Sequence, residues 1–504
     1  MKPTIPITLI LTSLLAISIA CGELDDDYSY TPGLGLNFST DTLHFDTIFS
    51  GIPSATRGFM VYNHNSSALM IATIRLSDQG NEAFRINVDG RRGQSFQNIR
   101  IGAKDSIYVM VEVTTPEANS DAPLIIQNKL EFEVNGSLQH VLLAAWSQDV
   151  HLIKGGFFIK NDTSFSSQRP FLIYDSLVID SGIKLKIEAG ATLYMHNKAT
   201  IIVDGTLIIE GTQDKQVEIR GDRFDGPTSQ IAYDQISGQW GGICFGTNSF
   251  NNELTHASIR NGYNGLICLP STPERNKLRI ANSQIINMRQ AVLETVNCKI
   301  EALNTEFANS EGNIVAITGG EARFVHCTMA NYYIFSPGRR PDASVLLLAN
   351  HAITGGQETD YPLTASFDNC IIDGNNAAGR SPWTGEIALE QKESLDFNIR
   401  FNHCAMKTLP IENSSLAAVQ FLDEQSPLYR QLGNSENSYI FDFRPAPSLD
   451  KEGKAIAQQP IIGQADTAVA RLYPTDRHGI TRIDSLGKAD IGAYAFVPLP
   501  EPEK

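Results

Sequence analysis

Six segments between residues 252 and 408 share one pattern: LTHASIRN, IANSQIIN, ALNTEFAN, FVHCTMAN, FDNCIIDG and FNHCAMKT. Aligned, they form columns. One holds His256, Asn282, Asn304, His326, Asn369 and His403, and the next is small: Ala257, Ser283, Thr305, Cys327, Cys370 and Cys404. Two further on comes an apolar column, Ile259, Ile285, Phe307, Met329, Ile372 and Met406, and beyond it Asn261, Asn287, Asn309 and Asn331. The first column recurs at spacings of 26, 22, 22, 43 and 34 residues. A unit of about 22 residues with variable insertions and strand-type alternation marks a solenoid.

One coil cannot bury its own apolar face, whereas a stack can. The small and apolar columns are therefore expected to be inward ladders at the strand spacing of about 4.8 Å. Residues 278, 280 and 282 share a face, then 283 and 285 do, so the chain must bend at the Asn/His column. Asn tolerates the left-handed conformation that such bends need, and stacked amides can hydrogen-bond along the ladder. The fold class expected is all-β: a right-handed single-stranded parallel β-helix over 151–445, of roughly nine to eleven coils. His256, His326 and His403 then belong to a structural ladder that they share with asparagines, rather than to a metal cluster. Cys327, Cys370 and Cys404 read as small buried residues, with disulfides between adjacent coils as the alternative.

Among the 504 residues, 19% are charged and the formal net charge is −16, with no basic patch to follow a phosphate backbone. Nucleic acid is excluded as a partner on that ground. Residues 1–20 read as a signal peptide, with Lys2 before an apolar run too short to span a membrane. Cys21 after Ala20 resembles the lipobox of bacterial lipoproteins, in which that cysteine is lipidated. Gly22 to Asp27, GELDDD, resembles the acidic export signal of Bacteroidota surface lipoproteins. The resemblance implies an outer-membrane protein held by its lipid and facing the cell exterior.

Residues 21–35 form an acidic tether. From 36 to 150, strand-length runs alternate with turn signals such as Asp89-Gly90 and Asn135-Gly136, the pattern of a β-sandwich. The runs LHFDTIFSG, FRINVDG and SIYVMVEVT resemble Ig-like domains of the ASH/HYDIN type. At the other end, 446–504, YPTDRHGITRIDSLGKADIGAYAF resembles the choice-of-anchor segment of bacterial β-helix proteins. Asp476, Gly479, Arg482 and Asp490 to Tyr494 match that pattern, whereas Ala495 stands where the family has Glu. This segment is expected to cap the last coil and cover its open strand edge. The whole chain is thus similar to Bacteroidota right-handed β-helix lipoproteins of unknown function.

Parallel β-helices that cleave acidic polysaccharides need paired carboxylates or a Ca²⁺ cluster. The motifs of polygalacturonases (Asn-Thr-Asp, Arg-Ile-Lys) and of pectate lyases are missing, and so are Walker, GxSxG, HExxH and Rossmann patterns. No cofactor is implied beyond Ca²⁺. One loop concentrates suitable side chains: Asp222, Arg223, Asp225 and Asp234, followed by Trp240. These could bind a sugar, with Trp240 stacked on a pyranose face, or Ca²⁺; the bland alternative is a solvated loop with Trp240 buried in the coil. Arg220-Gly221-Asp222 spells an integrin tripeptide but fits a strand-end turn. Arg339-Arg340 and Trp383 mark other insertions. The function expected is binding or adhesion at the cell surface, with polysaccharide as ligand. A polysaccharide lyase or glycoside hydrolase, or a structural component with a protein partner, are the alternatives.

Overall fold

The structure is a computed structural model that describes residues 28–498 apart from 79, 81, 227–230, 336–337, 377–384, 413, 423–427, 434–438 and 448–458. The signal peptide, Cys21, the acidic run and Trp383 lie outside the described residues. The chain divides into two compact units at Asp149/Val150.

The first unit has two five-stranded sheets. One runs in the order Asn37–Phe38, Arg57–Tyr62, Ser106–Val113, Phe84–Val88, Arg91–Gly93; the other Thr42–Phe49, Ser137–Gln148, Leu124–Val134, Leu69–Leu76, Ser95–Ile101. Pairing is antiparallel except between Thr42–Phe49 and Ser137–Gln148. Alternate residues of both sheets meet in one core, Val61, Val109 and Val111 against Ile71, Leu130 and Phe132. The two Asx-Gly turns join hairpins of two-residue loops. Asp89 and Gly90 have φ of 48° and 82°, Asn135 and Gly136 of 49° and 74°, the conformation whose twist matches the strands it connects.

The second unit is a parallel β-helix. Eleven strands, from His151–Ile153 to Gln420–Phe421, form one sheet in chain order, and seventeen form the other. A coil gives one strand to the first sheet and two to the second. In Leu293–Leu303 and Val315–Val325 one long strand covers both positions, turning at Asn297 (φ 47°) and Gly319 (φ 67°). Pairing keeps equivalent residues in register. Phe324, Phe367 and Phe401 are successive partners, and their rings stack with centroids 5.2 and 4.9 Å apart.

The Asn/His column is the corner. His256, Asn282, Asn304, His326, Asn369 and His403 all lie in the left-handed region, with φ between 47° and 53°. The small column is fully buried, as is the apolar one. Its chemistry goes beyond size. Ser283, Thr305, Cys327, Cys370 and Cys404 each donate to the carbonyl two residues earlier, at 2.8–3.5 Å. That carbonyl already accepts the N–H of the corner residue one coil earlier, as Ala281 O does from His256 N at 3.0 Å, and the small side chain adds a second bond to it from within the coil. The histidines stay in the ladder: Asn369 donates its amide to His326 Nε2 at 3.0 Å.

The C-terminal segment corrects an expectation. Its described residues pack along the flank of the stack, over the corner column. Arg477 donates to Ser283 O (3.2 Å), Arg482 to Asn304 Oδ1 (2.8 Å) and Ala493 N to Thr328 Oγ1 (3.0 Å). Asp466 N donates to Asn369 Oδ1 (2.7 Å), and Asn402 to Asp466 Oδ2 (3.1 Å). The reason lies in the corner: left-handed residues present their amides outward as a ladder of donors and acceptors. The matched motif residues knit the strap. Asp476 accepts from His478 N, Ile480 N and Ala495 N, and Asp490 from Gly463 N and Phe496 N. At Gly492 (φ 99°) a Cβ would meet Ile371 Cδ1 at 2.6 Å and Thr328 Oγ1 at 2.8 Å, so only glycine fits.

His326 is fully buried, and burial, with Arg482 nearby, holds its imidazole well below the ordinary 6.5. A group lowered by folding keeps its full contribution above the unfolded value and loses it as pH falls. Stability should therefore decline below about pH 6.5 by up to about 1.4 kcal/mol per pH unit. His326→Asn, the residue of neighbouring coils, should flatten that decline in urea unfolding on either side of this pH. His256 and His478, also lowered by burial, should leave a residual slope; an unchanged slope in the variant would contradict the assignment.

Candidate functional site

The loop singled out in the sequence does not gather its side chains. Asp222 pairs with His196 Nδ1 at 2.6 Å, across one coil. Arg223 forks onto its neighbour Asp225 at 2.8 and 2.5 Å, with its guanidinium 3.6 Å from the Tyr233 ring centroid. Asp234 bridges Arg260 (2.7 Å) and Arg220 (3.2 Å). Each carboxylate thus has a different partner, and among the described residues no group of three His, Cys, Asp or Glu side chains could hold a metal ion. Trp240 is 1% exposed, and its indole N–H donates to Arg260 O at 2.8 Å, so its ring cannot stack on a sugar. Arg220 is buried too, and the tripeptide it begins is not displayed. Arg339 forms a buried ion pair with Glu386 (2.5 Å). It braces an insertion.

What the loop does is frame two recesses. The smaller, about 240 Å³, lies on the outer face of the eleven-strand sheet, where Asp234, Arg260 and Glu306 face Tyr439, Phe441 and Phe443. Both carboxylates there are engaged: Asp234 by its two arginines, and Glu306 by the Tyr494 hydroxyl and by Gln284 (2.9 Å).

The larger recess, about 520 Å³, opens where the chain turns from the first sheet into the second in successive coils. Gly241 and Gly242 line it together with Thr200, Cys244 and Ile267. A Cβ at Gly241 would lie 2.0 Å from Thr200 Oγ1, so glycine there lets the neighbouring coil approach closely. Gly242 has φ 112°. Lys198 and Asn197 rise on one side, both exposed. On the other stands Tyr263, 43% exposed, with the Arg289 guanidinium 5.7 Å from its ring centroid. Asn264 donates to Gly241 O at 3.3 Å and fixes the wall to the floor. Half-buried Cys244 lies at the base, its thiol pushed up by burial. Two cations and an aromatic face line this recess; Arg289 pairs with Glu311 at 3.5 Å, and among the described residues no carboxylate belongs to the lining itself. It spans about three coils, roughly 14 Å at the strand spacing.

Sequence reasoning passed over Tyr263, Arg289 and Lys198. The available signal was glycine: Trp240-Gly241-Gly242 and Gly262-Tyr263-Asn264-Gly265 stand at the same turn of adjacent coils, and glycine in such places marks close backbone approach.

No family model matches the chain, and no curated protein does. Among solved structures, the chain is similar to the catalytic unit of a thermostable GH87 α-1,3-glucanase from Streptomyces thermodiastaticus. Identity is 8% over 72% of this chain and 87% of that one, with a TM-score of 0.21. It is similar to an ASH/PapD-like domain of human CEP192 at 11% identity over 26% of this chain and 96% of that one (TM-score 0.17). It is also similar to a family 123 glycoside hydrolase from Clostridium perfringens, at 9% identity over 24% of this chain (TM-score 0.18). The match spans only 30% of that hydrolase's length. Likenesses this low carry no argument about activity.

If the loop carboxylates serve only their arginines and His196, Ca²⁺ has no site there. Thermal unfolding with and without millimolar Ca²⁺ should then agree within about 1 °C. A rise of several degrees would return the cation to this loop.

Proposed function

We propose that the chain is a cell-surface protein, anchored through lipid at Cys21, whose β-helix binds carbohydrate in the recess between Lys198 and Tyr263. An Ig-like first unit would serve as spacer. The observation that carries the reading is the lining: one exposed aromatic face beside amides, a hydroxyl and two cations. The Tyr263 ring offers an apolar surface to the C–H face of a pyranose, while Asn197, Asn264 and Thr200 offer partners to its hydroxyls. Lys198 favours a sugar that carries a carboxylate or sulfate, with Arg289 shared between the recess and Glu311 (3.5 Å), although the net charge of −16 opposes a dense polyanion at longer range. Among the described residues the lining carries no carboxylate, which favours binding over hydrolysis, since hydrolysis needs an acid and a base across the scissile bond. The enzymatic reading rests on the smaller recess, where Asp234 and Glu306 both occur. It requires that they exchange their present partners for substrate.

The test is retention of the full chain, in detergent, on a panel of plant, host and bacterial polysaccharides, with product analysis by mass spectrometry. Retention without cleavage is expected. Tyr263→Ala should weaken it about tenfold or more, equivalent to about 1.4 kcal/mol, with the strand circular dichroism unchanged. Release of oligosaccharides would replace this reading with the enzymatic one, and undiminished retention by the variant would exclude the recess.

A further inference from the structure

The second asparagine column uses its side chains unequally. Asn309 Oδ1 accepts from Tyr332 N at 3.1 Å, and Asn331 Oδ1 from Ser310 N at 3.2 Å. Asn287 stands at the same position one coil before Asn309. It is 8% exposed, and its Oδ1 is buried with no donor. Asn287 lines the smaller recess, and so does Gln235, whose buried Oε1 also lacks a donor. Asn261, one coil earlier again, has the same open oxygen, while its amide holds the loop carbonyls Asp234 O (2.7 Å) and Ile236 O (3.1 Å). A buried acceptor left open costs stability that a bound donor restores.

The donors of this lining are already committed. Arg260, its one cation among the described residues, gives Nε to Asp234 (2.7 Å) and Nη1 to Ser258 Oγ (2.9 Å). Gln284 gives its amide to Glu306 at 2.9 Å. Asp234 is shared between Arg260 and Arg220, so the charge left facing the recess is that of Glu306, which also accepts from the Tyr494 hydroxyl. Arg444, next in the chain to Phe443, is paired with Asp442 at 2.8 and 3.0 Å. The facing wall is aromatic: Tyr439, Phe441 and Phe443, the last two with nearly parallel rings 5.9 Å apart. Aromatic faces attract a cation. At about 240 Å³ the recess falls below the range of about 300–1,000 Å³ for drug-sized ligands, so it suits one ring or a short chain.

We infer that the smaller recess is a binding site for a primary ammonium carried on a body no larger than one sugar ring. An ammonium has three donors and no acceptor, the complement of a lining whose open positions, Asn287 Oδ1 and Gln235 Oε1, are acceptors and whose remaining charge is negative. Asp234 and Glu306 keep their present partners when it binds. The site is independent of the larger recess, where Lys198 and Arg289 repel such a group.

The test is a ligand-observed NMR titration of the full chain in detergent, at a pH where the amines are charged, with glucosamine, butylamine and glucose as probes. Each amine should bind at least tenfold more tightly than glucose, and the same order should hold in Tyr263→Ala, where the larger recess is impaired. Glucosamine above butylamine assigns the site to amino sugars and the reverse to alkylamines; either order supports the inference. Asn287→Gly tolerates the φ of 56° and removes the oxygen, so it should weaken both amines about tenfold. Asn287→Asp is nearly isosteric and tolerates the same φ. It should tighten both amines about fivefold and leave glucose unchanged. Glucose bound as tightly as glucosamine, amine binding undiminished in Asn287→Gly or not increased in Asn287→Asp, or binding of neither amine, so that water alone fills the recess, would each overturn the inference.

Discussion

A left-handed residue at one corner of six coils, from His256 to His403, is the constraint on which the rest of the second unit depends. It ends one strand and starts the next with the side-chain alternation reset, so that both strands can face one core. The cost of that conformation for most residues is about 1 kcal/mol or more, which explains why the column holds asparagine and histidine. The carbonyl before the bend accepts both the corner N–H of the preceding coil and the side chain of the following Ser, Thr or Cys. On the outside it leaves a ladder of amides, and the C-terminal strap docks there through Arg482, Asp466 and the backbone around Gly492.

Much of this was legible in the residues themselves. The corner column, the two buried columns and the Asx-Gly hairpins are local: each requires only a few neighbouring positions and a conformation that few residues tolerate. The strap was misjudged because its matched residues, Asp476, Gly479 and Arg482, speak about their own turn and not about the surface that it meets. The corner that receives it is made of residues about 100 to 200 positions away. The loop at 222–239 failed for a similar reason. Asp222, Asp225 and Asp234 look like a cluster in one dimension, but their partners are His196, Arg223 and Arg260, two of which belong to other coils. Trp240 needed a hydrogen-bond acceptor in the next coil, Arg260 O, to be read as buried.

The larger recess arises from the same stacking. Where glycines recur at one turn, successive coils meet backbone to backbone and the surface sinks; where Lys198, Tyr263 and Arg289 follow, it rises. A solenoid of this kind can place chemically unrelated side chains side by side, because neighbours in space are one coil apart in sequence.

The most direct test of the corner's role is the order of stability of two variants at Asn282, which has φ 51° and is partly exposed. Asn282→Gly and Asn282→Ala both delete the amide that accepts from Asn304 and differ only in what the backbone tolerates. In urea unfolding the glycine variant should be the more stable by about 1 kcal/mol, the reverse of the order found in an ordinary strand or helix. Equal stability, or an alanine variant above glycine, would contradict the claim that the left-handed corner governs the coil.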